Sequence, residues 1–172
     1  MYGGISSELM YKPFNNNFSV SYELNYVKKR DYDGRLDFLD YSTITSHINV
    51  ALYEPNNNIL VKWSYGKYLA KDKGYTLDLS RRMPSGWHAG FYFSRTNVSA
   101  ETFGEGSFDK GFYFKIPYNI LSRNYSKRTT GFSLKTMTRD GGQKLNIQNR
   151  LIDSFYGSTF SEIDENWDGF LN

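Results

Sequence analysis

The chain has 172 residues, about one domain's length, and its 21 Lys and Arg against 18 Asp and Glu give a net charge of +3, which excludes a basic nucleic-acid arm and an acidic tail. Aromatics reach 18% (15 Tyr, 13 Phe, 3 Trp) beside 39% hydrophobic residues, which excludes a disordered chain, since those are poor in aromatics. There is no cysteine, hence no disulfide framework or thiolate metal site, and no run of about 18 apolar residues to make a transmembrane helix.

The opening Met1-Tyr2-Gly3-Gly4-Ile5 has neither a basic nor an apolar leader pattern. No signal peptide is expected there, which leaves a protein kept inside the cell or a chain whose natural start lies upstream. A weak first strand is expected over 5–11. Strict alternation follows, with Phe18, Val20, Tyr22, Leu24 and Tyr26 set against Ser19, Ser21, Glu23 and Asn25. Ile44, Ile48, Val50 and Leu52 share a face against Thr43, Thr45, His47 and Asn49. Ile59, Val61, Trp63 and Tyr65 oppose Lys62, Ser64 and Gly66, and Tyr75, Leu77 and Leu79 oppose Thr76, Asp78 and Ser80. Trp87, Ala89, Phe91 and Phe93 oppose His88, Gly90, Tyr92 and Ser94. Phe112, Phe114 and Ile116 oppose Gly111, Tyr113 and Lys115, and Phe132 and Leu134 oppose Ser133 and Lys135. A last strand is expected over 144–151. Period two of this quality predicts strands with one apolar face, about eight or nine of them.

Pro- and Asn-rich turns at 13–17, 55–58, 84–86 and 117–124 alternate with polar loops at 28–41, 70–74, 96–109 and 139–143. Proline presets a turn and cannot donate to a ladder, so these are sound strand ends. The expected architecture is an all-β, up-and-down antiparallel barrel, or the C-terminal eight or nine strands of a larger outer-membrane barrel. The strands fill residues 1–151. Residues 152–172 form a tail, read either as a short amphipathic helix started by Ser161-Glu162-Ile163-Asp164 or as a frayed acidic end.

The pattern admits two facings. A soluble barrel turns its apolar rows inward, whereas an outer-membrane barrel turns them to lipid and lines its interior with polar residues. Two features favour lipid. The strands run about 9–12 residues, enough to cross a bilayer when tilted. Trp63, Tyr65, Trp87, Phe93 and Tyr118 sit near the ends of apolar rows, where ring polarity suits an interface.

The run Val98-Ser99-Ala100-Glu101-Thr102-Phe103-Gly104-Glu105-Gly106-Ser107-Phe108-Asp109-Lys110-Gly111, continuing into Phe112-Tyr113-Phe114-Lys115-Ile116-Pro117, resembles the YjbH-type exopolysaccharide biosynthesis family of Gram-negative bacteria. So do Thr138-Arg139-Asp140-Gly141-Gly142-Gln143-Lys144-Leu145 and the opening Ser7-Glu8-Leu9-Met10-Tyr11-Lys12-Pro13. The resemblance implies a large outer-membrane β-barrel lipoprotein or porin-like protein, encoded with exopolysaccharide or capsule export genes. Members are longer and begin with a signal sequence, so this chain looks like the C-terminal part of one. The resemblance brings no catalytic residues with it.

Several residues invite chemistry. On the inward face Tyr68, Tyr92 and Tyr113 offer ring faces and hydroxyls suited to a pyranose, with Lys62, Lys115, Arg82 and Asp78 around them and Gly66, Gly90 and Gly111 giving the rings space. A polysaccharide-guiding lumen and a filled, plugged one remain equal readings. Glu101, Gly104, Glu105, Gly106 and Asp109 are expected to form an acidic loop rim. Its carboxylates, if about 5–10 Å apart, suit acid–base work or cation binding, although a glycine-shaped structural loop is the simpler reading. Asp31-Tyr32-Asp33-Gly34 lacks the closing glutamate of a Ca²⁺ loop, and His47 and His88 lack a third ligand. No nucleophile, phosphate-loop or metal motif occurs, so no enzyme activity, cofactor or metal is expected. The expected partners are membrane lipid, polysaccharide and other exopolysaccharide export proteins, with no nucleic acid, at the bacterial outer membrane.

Glycine takes φ > 0 where other residues are strained, so Gly104→Val and Gly106→Val should distort the loop while leaving the strands intact. The expected outcome is normal protein abundance in outer-membrane fractions with less surface polymer. Wild-type polymer levels in both variants would make the loop a mere connection.

Overall fold

The computed structural model describes residues 2–31, 37–83, 85–98, 108–118, 129–136, 141–147 and 150–155. Eight strands form one sheet: β1 (Tyr2–Tyr11), β2 (Phe18–Arg30), β3 (Phe38–Glu54), β4 (Ile59–Lys67), β5 (Lys73–Arg82), β6 (His88–Thr96), β7 (Asp109–Pro117) and β8 (Thr129–Lys135). Each pairs antiparallel with its sequence neighbours, in the order β1 to β8. This is the expected all-β up-and-down meander. Among the described residues the sheet does not close, and β1 and β8 lie at its opposite edges. β2 and β3 outrun the alternation and take in much of the expected 28–41 loop, with a register shift between Lys28 and Arg30. The turns follow their chemistry. At 55–58 the Glu54 carboxylate accepts the Asn56 and Asn57 N–H groups at 2.9 and 2.8 Å, and Asn58 takes a φ of 54°, which asparagine tolerates.

The register sorts the two faces. Ser21 opposes Asn49, Asn49 opposes Ser64, and Ser64 opposes Thr76, so the polar rows fall together. That face is covered: Ser19, Ser21, Glu23, Asn25, Thr45, His47 and Asn49 are all buried. The apolar rows lie open on the other side, including Tyr22, Ile44, Ile48, Trp63, Phe91 and Phe112.

The described residues of the expected strand over 144–151 form no strand. Residues 141–147 and 150–155 instead cross the polar face and end in a 3-10 turn, Leu151–Ser154. Their backbone is held by side chains and loops rather than a ladder. The Leu69 N–H donates to the Gln143 carbonyl at 3.2 Å, and the Gly142 N–H to Asp72 Oδ2 at 2.8 Å. The Leu151 and Ile152 N–H groups donate to Glu8 at 2.7 and 3.2 Å. A backbone group removed from water needs a partner, and the alternation of this stretch does not say whether that partner is a strand. Below the turn, Ile152 and Phe155 pack on Ala51, Tyr53 and Leu60 in a small apolar core flanked by Met10. The expected helix at 161–170 lies outside the described residues.

Two glycines set rings flat on the covered face. Gly90 opposes Tyr113 and Gly111 opposes Tyr92 across the β6–β7 ladder. A Cβ on Gly90 would meet the Tyr113 ring at 2.5 Å, and one on Gly111 would meet the Tyr92 ring. Gly66 differs, since its neighbour is the Ser46 backbone rather than a tyrosine. Gly111→Val should therefore cost about 1–3 kcal/mol by overpacking. In denaturant unfolding, the pair Gly111→Val with Tyr92→Ala should lose less than the sum of the single changes, because the clash is with a side chain. Additive losses would place the strain in the backbone.

Candidate functional site

The site is the space between the polar face and the described residues of the 141–155 segment. Three side-chain systems pin the segment. Arg150 faces Glu23 Oε1 at 3.6 Å, and Glu23 is only 1% exposed. Asn25 Nδ2 also donates to Glu23 Oε1 at 2.7 Å and lies 3.0 Å from Thr45 Oγ1, while its own Oδ1 accepts the Ser6 hydroxyl. Lys144 Nζ donates to Asn49 Oδ1 at 2.9 Å, Asn49 Nδ2 to Ser21 Oγ at 3.2 Å, and Ser21 Oγ to Glu8 Oε1 at 3.1 Å. Glu8 thus links this chain to the amides of the 3-10 turn. Lys62 Nζ closes the third system on Asp153 Oδ1 at 2.8 Å.

Beside the segment, towards β8, a cavity of about 380 Å³ remains. Lys62, Asp78, Tyr92 and Asp109 reach it from the sheet, Lys135 and Thr136 from the end of β8, and Lys144 and Arg150 from the segment. The covered face is therefore filled over β1–β3 and open beside β5–β8.

Of the residues singled out in the sequence, Lys62, Asp78, Tyr92 and Asp109 meet at this cavity. Tyr68 does not line it. It is fully buried, its hydroxyl 2.6 Å from Thr76 Oγ1 and its ring edge-on to His47 at 4.8 Å. Tyr113 donates to Asp78 at 3.0 Å and lies under the Lys115 ammonium. Arg82, which opposes His88, and Lys115 stand towards the other end of the sheet. Asp109 opens β7 and is 5% exposed, accepting the Thr136 hydroxyl at 2.8 Å, so it faces the cavity rather than an outer rim. Glu101, Gly104, Glu105 and Gly106 lie outside the described residues.

The sequence reading missed Glu8, Glu23, Asn49, Lys135, Lys144 and Arg150 as site residues. The available signal was two cations, Lys144 and Arg150, on a stretch with no β-branched or aromatic enrichment beyond Ile147. Burial lowers the Lys144 ammonium to about 7, helped by Arg150 and opposed by Glu23. Burial alone would raise the Asp153 carboxyl, but the Lys62 charge and hydrogen bond hold it below its ordinary value.

The YjbH family model, described as exopolysaccharide biosynthesis protein YbjH, matches residues 1–156. A curated relative, an uncharacterized lipoprotein YjbH from Escherichia coli strain K12, is 40% identical over 158 residues, 89% of this chain. The chain spans 22% of that relative's length. No solved structure matches.

The Lys144 shift makes docking of the segment depend on pH. Its folded value, about 7, lies below the ordinary 10.5, so the unfolded or undocked state binds more protons between those limits. Docking of the segment carries the full cost below pH 7 and tightens as pH rises towards 10.5. Hydrogen-exchange protection of the Ile152 amide, corrected for intrinsic rate, should increase over that window. In Lys144→Met the protection should be flat with pH. An equal rise in the variant would remove Lys144 as the cause.

Proposed function

Because the chain belongs to the YjbH exopolysaccharide biosynthesis family, we propose that it forms part of an outer-membrane β-barrel that assists export or assembly of an exopolysaccharide without catalysing a reaction on it. The observation that carries this reading is the inverted burial. Glu23, Asn25, Thr45 and His47 are enclosed, while Phe91 is 49% exposed and Leu134 68% on the opposite side. A water-soluble sheet of this size would place those rows in its core, since contiguous exposed apolar patches beyond a few hundred Å² mark an interaction surface. Lipid is the surface that suits both faces. Trp63 stacks on Tyr65 at 6.3 Å and Trp87 meets Phe114 edge-on at 5.2 Å, supplying amphipathic rings for the headgroup region. The relative's description as a lipoprotein agrees with a membrane setting.

In this reading the β1 and β8 edges are continued by further strands of a longer protein. The 141–155 segment narrows the lumen, and the cavity beside it is where the polymer makes contact through hydrogen bonds and the Tyr92 ring. No cofactor takes part. Lipid, polysaccharide and other export proteins are the partners. A purely structural barrel, completed by further strands at the β1 and β8 edges, is the second reading, favoured by the packed polar network over β1–β3. It would take no polymer at all.

Arginine substitution tests the facing. Thr45 and Ser94 are both packed against hydrogen-bonded neighbours, so neither is a neutral control. Ser133 is exposed and opposes Tyr113 on the inner row, which makes it the better one. Phe91→Arg should cost about 2–4 kcal/mol near the bilayer midplane and lower the amount in outer-membrane fractions. Ser133→Arg should leave that amount near wild type. Equal losses would reverse the facing.

A further inference from the structure

We propose that the cavity between the 141–155 segment and β4–β8 binds a carboxylate-bearing sugar, a uronic acid unit of an acidic polysaccharide. This rests on the export reading and names the class of polymer that reading leaves open.

The cavity is half open, with Lys135 exposed at its side, and its charges are unevenly paired. The cavity's acids already have hydrogen-bond partners. Asp153 is paired with Lys62, Asp109 accepts the Thr136 hydroxyl, and Asp78 accepts the Tyr113 hydroxyl. Arg150 is turned to Glu23. Two ammonium groups at the cavity remain, Lys135 and Lys144. Neither makes an ion pair among the described residues, and the hydrogen bond from Lys144 goes to a neutral amide oxygen, Asn49 Oδ1. A carboxylate entering here would gain charge-assisted hydrogen bonds, the stronger one at half-buried Lys144.

The remaining wall suits a sugar ring. The Tyr92 ring, seated over Gly111, presents an apolar surface, and Ser64, Thr76 and Ser94 present hydroxyls. The volume of about 380 Å³ falls in the range of small-ligand sites.

The ionisable groups around Lys144 are Glu23 on β2, His47 on β3, Lys62 on β4, Asp78 on β5, and Arg150 and Asp153 on its own segment. With that ammonium lowered to about 7, an arriving anion restores its proton, so binding above pH 7 takes up a proton. A neutral sugar brings no such uptake.

The test uses the longer protein that contains this chain, in lipid nanodiscs, and titration calorimetry at pH 8 in two buffers of different ionisation heat. The probes are trigalacturonate, neutral maltotriose and inorganic phosphate. Trigalacturonate should bind at least about tenfold more tightly than maltotriose and take up a proton. Lys144→Met should abolish the uptake, and Lys135→Met should weaken binding at least about tenfold. Lys135 lies on β8 outside the segment, so its variant decides the matter if Lys144→Met frees the segment. Equal binding of maltotriose would overturn the acidic class while leaving the export reading intact. Phosphate binding as tightly as trigalacturonate would reduce the cavity to a simple anion site and overturn the sugar assignment. Binding of none of the probes would overturn the inference and remove the polymer contact from the export reading as well.

Discussion

The constraint on which this structure turns is the satisfaction of a polar face that has been taken away from water. Glu8 and Glu23 face each other across the β1–β2 ladder, with Asn25, Thr45 and Asn49 beside them. A buried carboxylate without a partner is among the most costly groups in a protein, and breaking a buried pair by removing one side costs about 3–5 kcal/mol. The 141–155 segment supplies what the sheet lacks: the Arg150 guanidinium, the Lys144 ammonium and two backbone N–H groups aimed at Glu8. Among the described residues the apolar cluster under the segment is small, Ile152 and Phe155 with Ala51, Tyr53 and Leu60. Polar complementarity, with that small cluster as an anchor at one end, decides where the segment lies.

The same constraint explains why the face is uneven. Over β1–β3 the inner rows carry short amides, hydroxyls and carboxylates that bond to one another across the ladders. Over β5–β8 the inner rows carry glycine beside tyrosine, and the rings lie down into the space that the glycines leave. Rings lying flat leave room above them, which the segment does not fill. A narrow, charged and partly aromatic space results, with the filled half as its rigid wall.

The outer face obeys the opposite rule. Its rows of Val, Leu, Ile, Phe, Tyr and Trp make good cross-strand pairs, such as Tyr75 against Phe93 and Phe112 against Phe132. Those pairs stabilise the sheet without hiding the rows from their surroundings. The free edges at β1 and β8 carry further exposed apolar side chains, Ile5, Leu9, Phe132 and Leu134. Edge strands of this length and character are sticky in water, and natural sheets usually pair or cover them.

What the sequence by itself determined is the part of the structure that is local and periodic. Alternation at Phe18–Tyr26 or Ile59–Tyr65 places every other side chain on one face, and proline- and asparagine-rich turns end each strand, so strand positions, order and the two faces could all be read. The glycine–tyrosine partnerships were legible in type, and for Gly90 and Gly111 the rings are there. The stretch over 144–151 alternates too, and there the local signal misled. Whether such a segment pairs as a ninth strand or lies across the polar face depends on partners far away in the chain. Lys144 reaches Asn49, 95 residues back, and Leu151 reaches Glu8, 143 residues back. No local pattern encodes contacts of that range. Only the tertiary structure, by bringing half-buried Glu8 together with buried Glu23 and Asn49, decided that the segment's polar groups had to meet them.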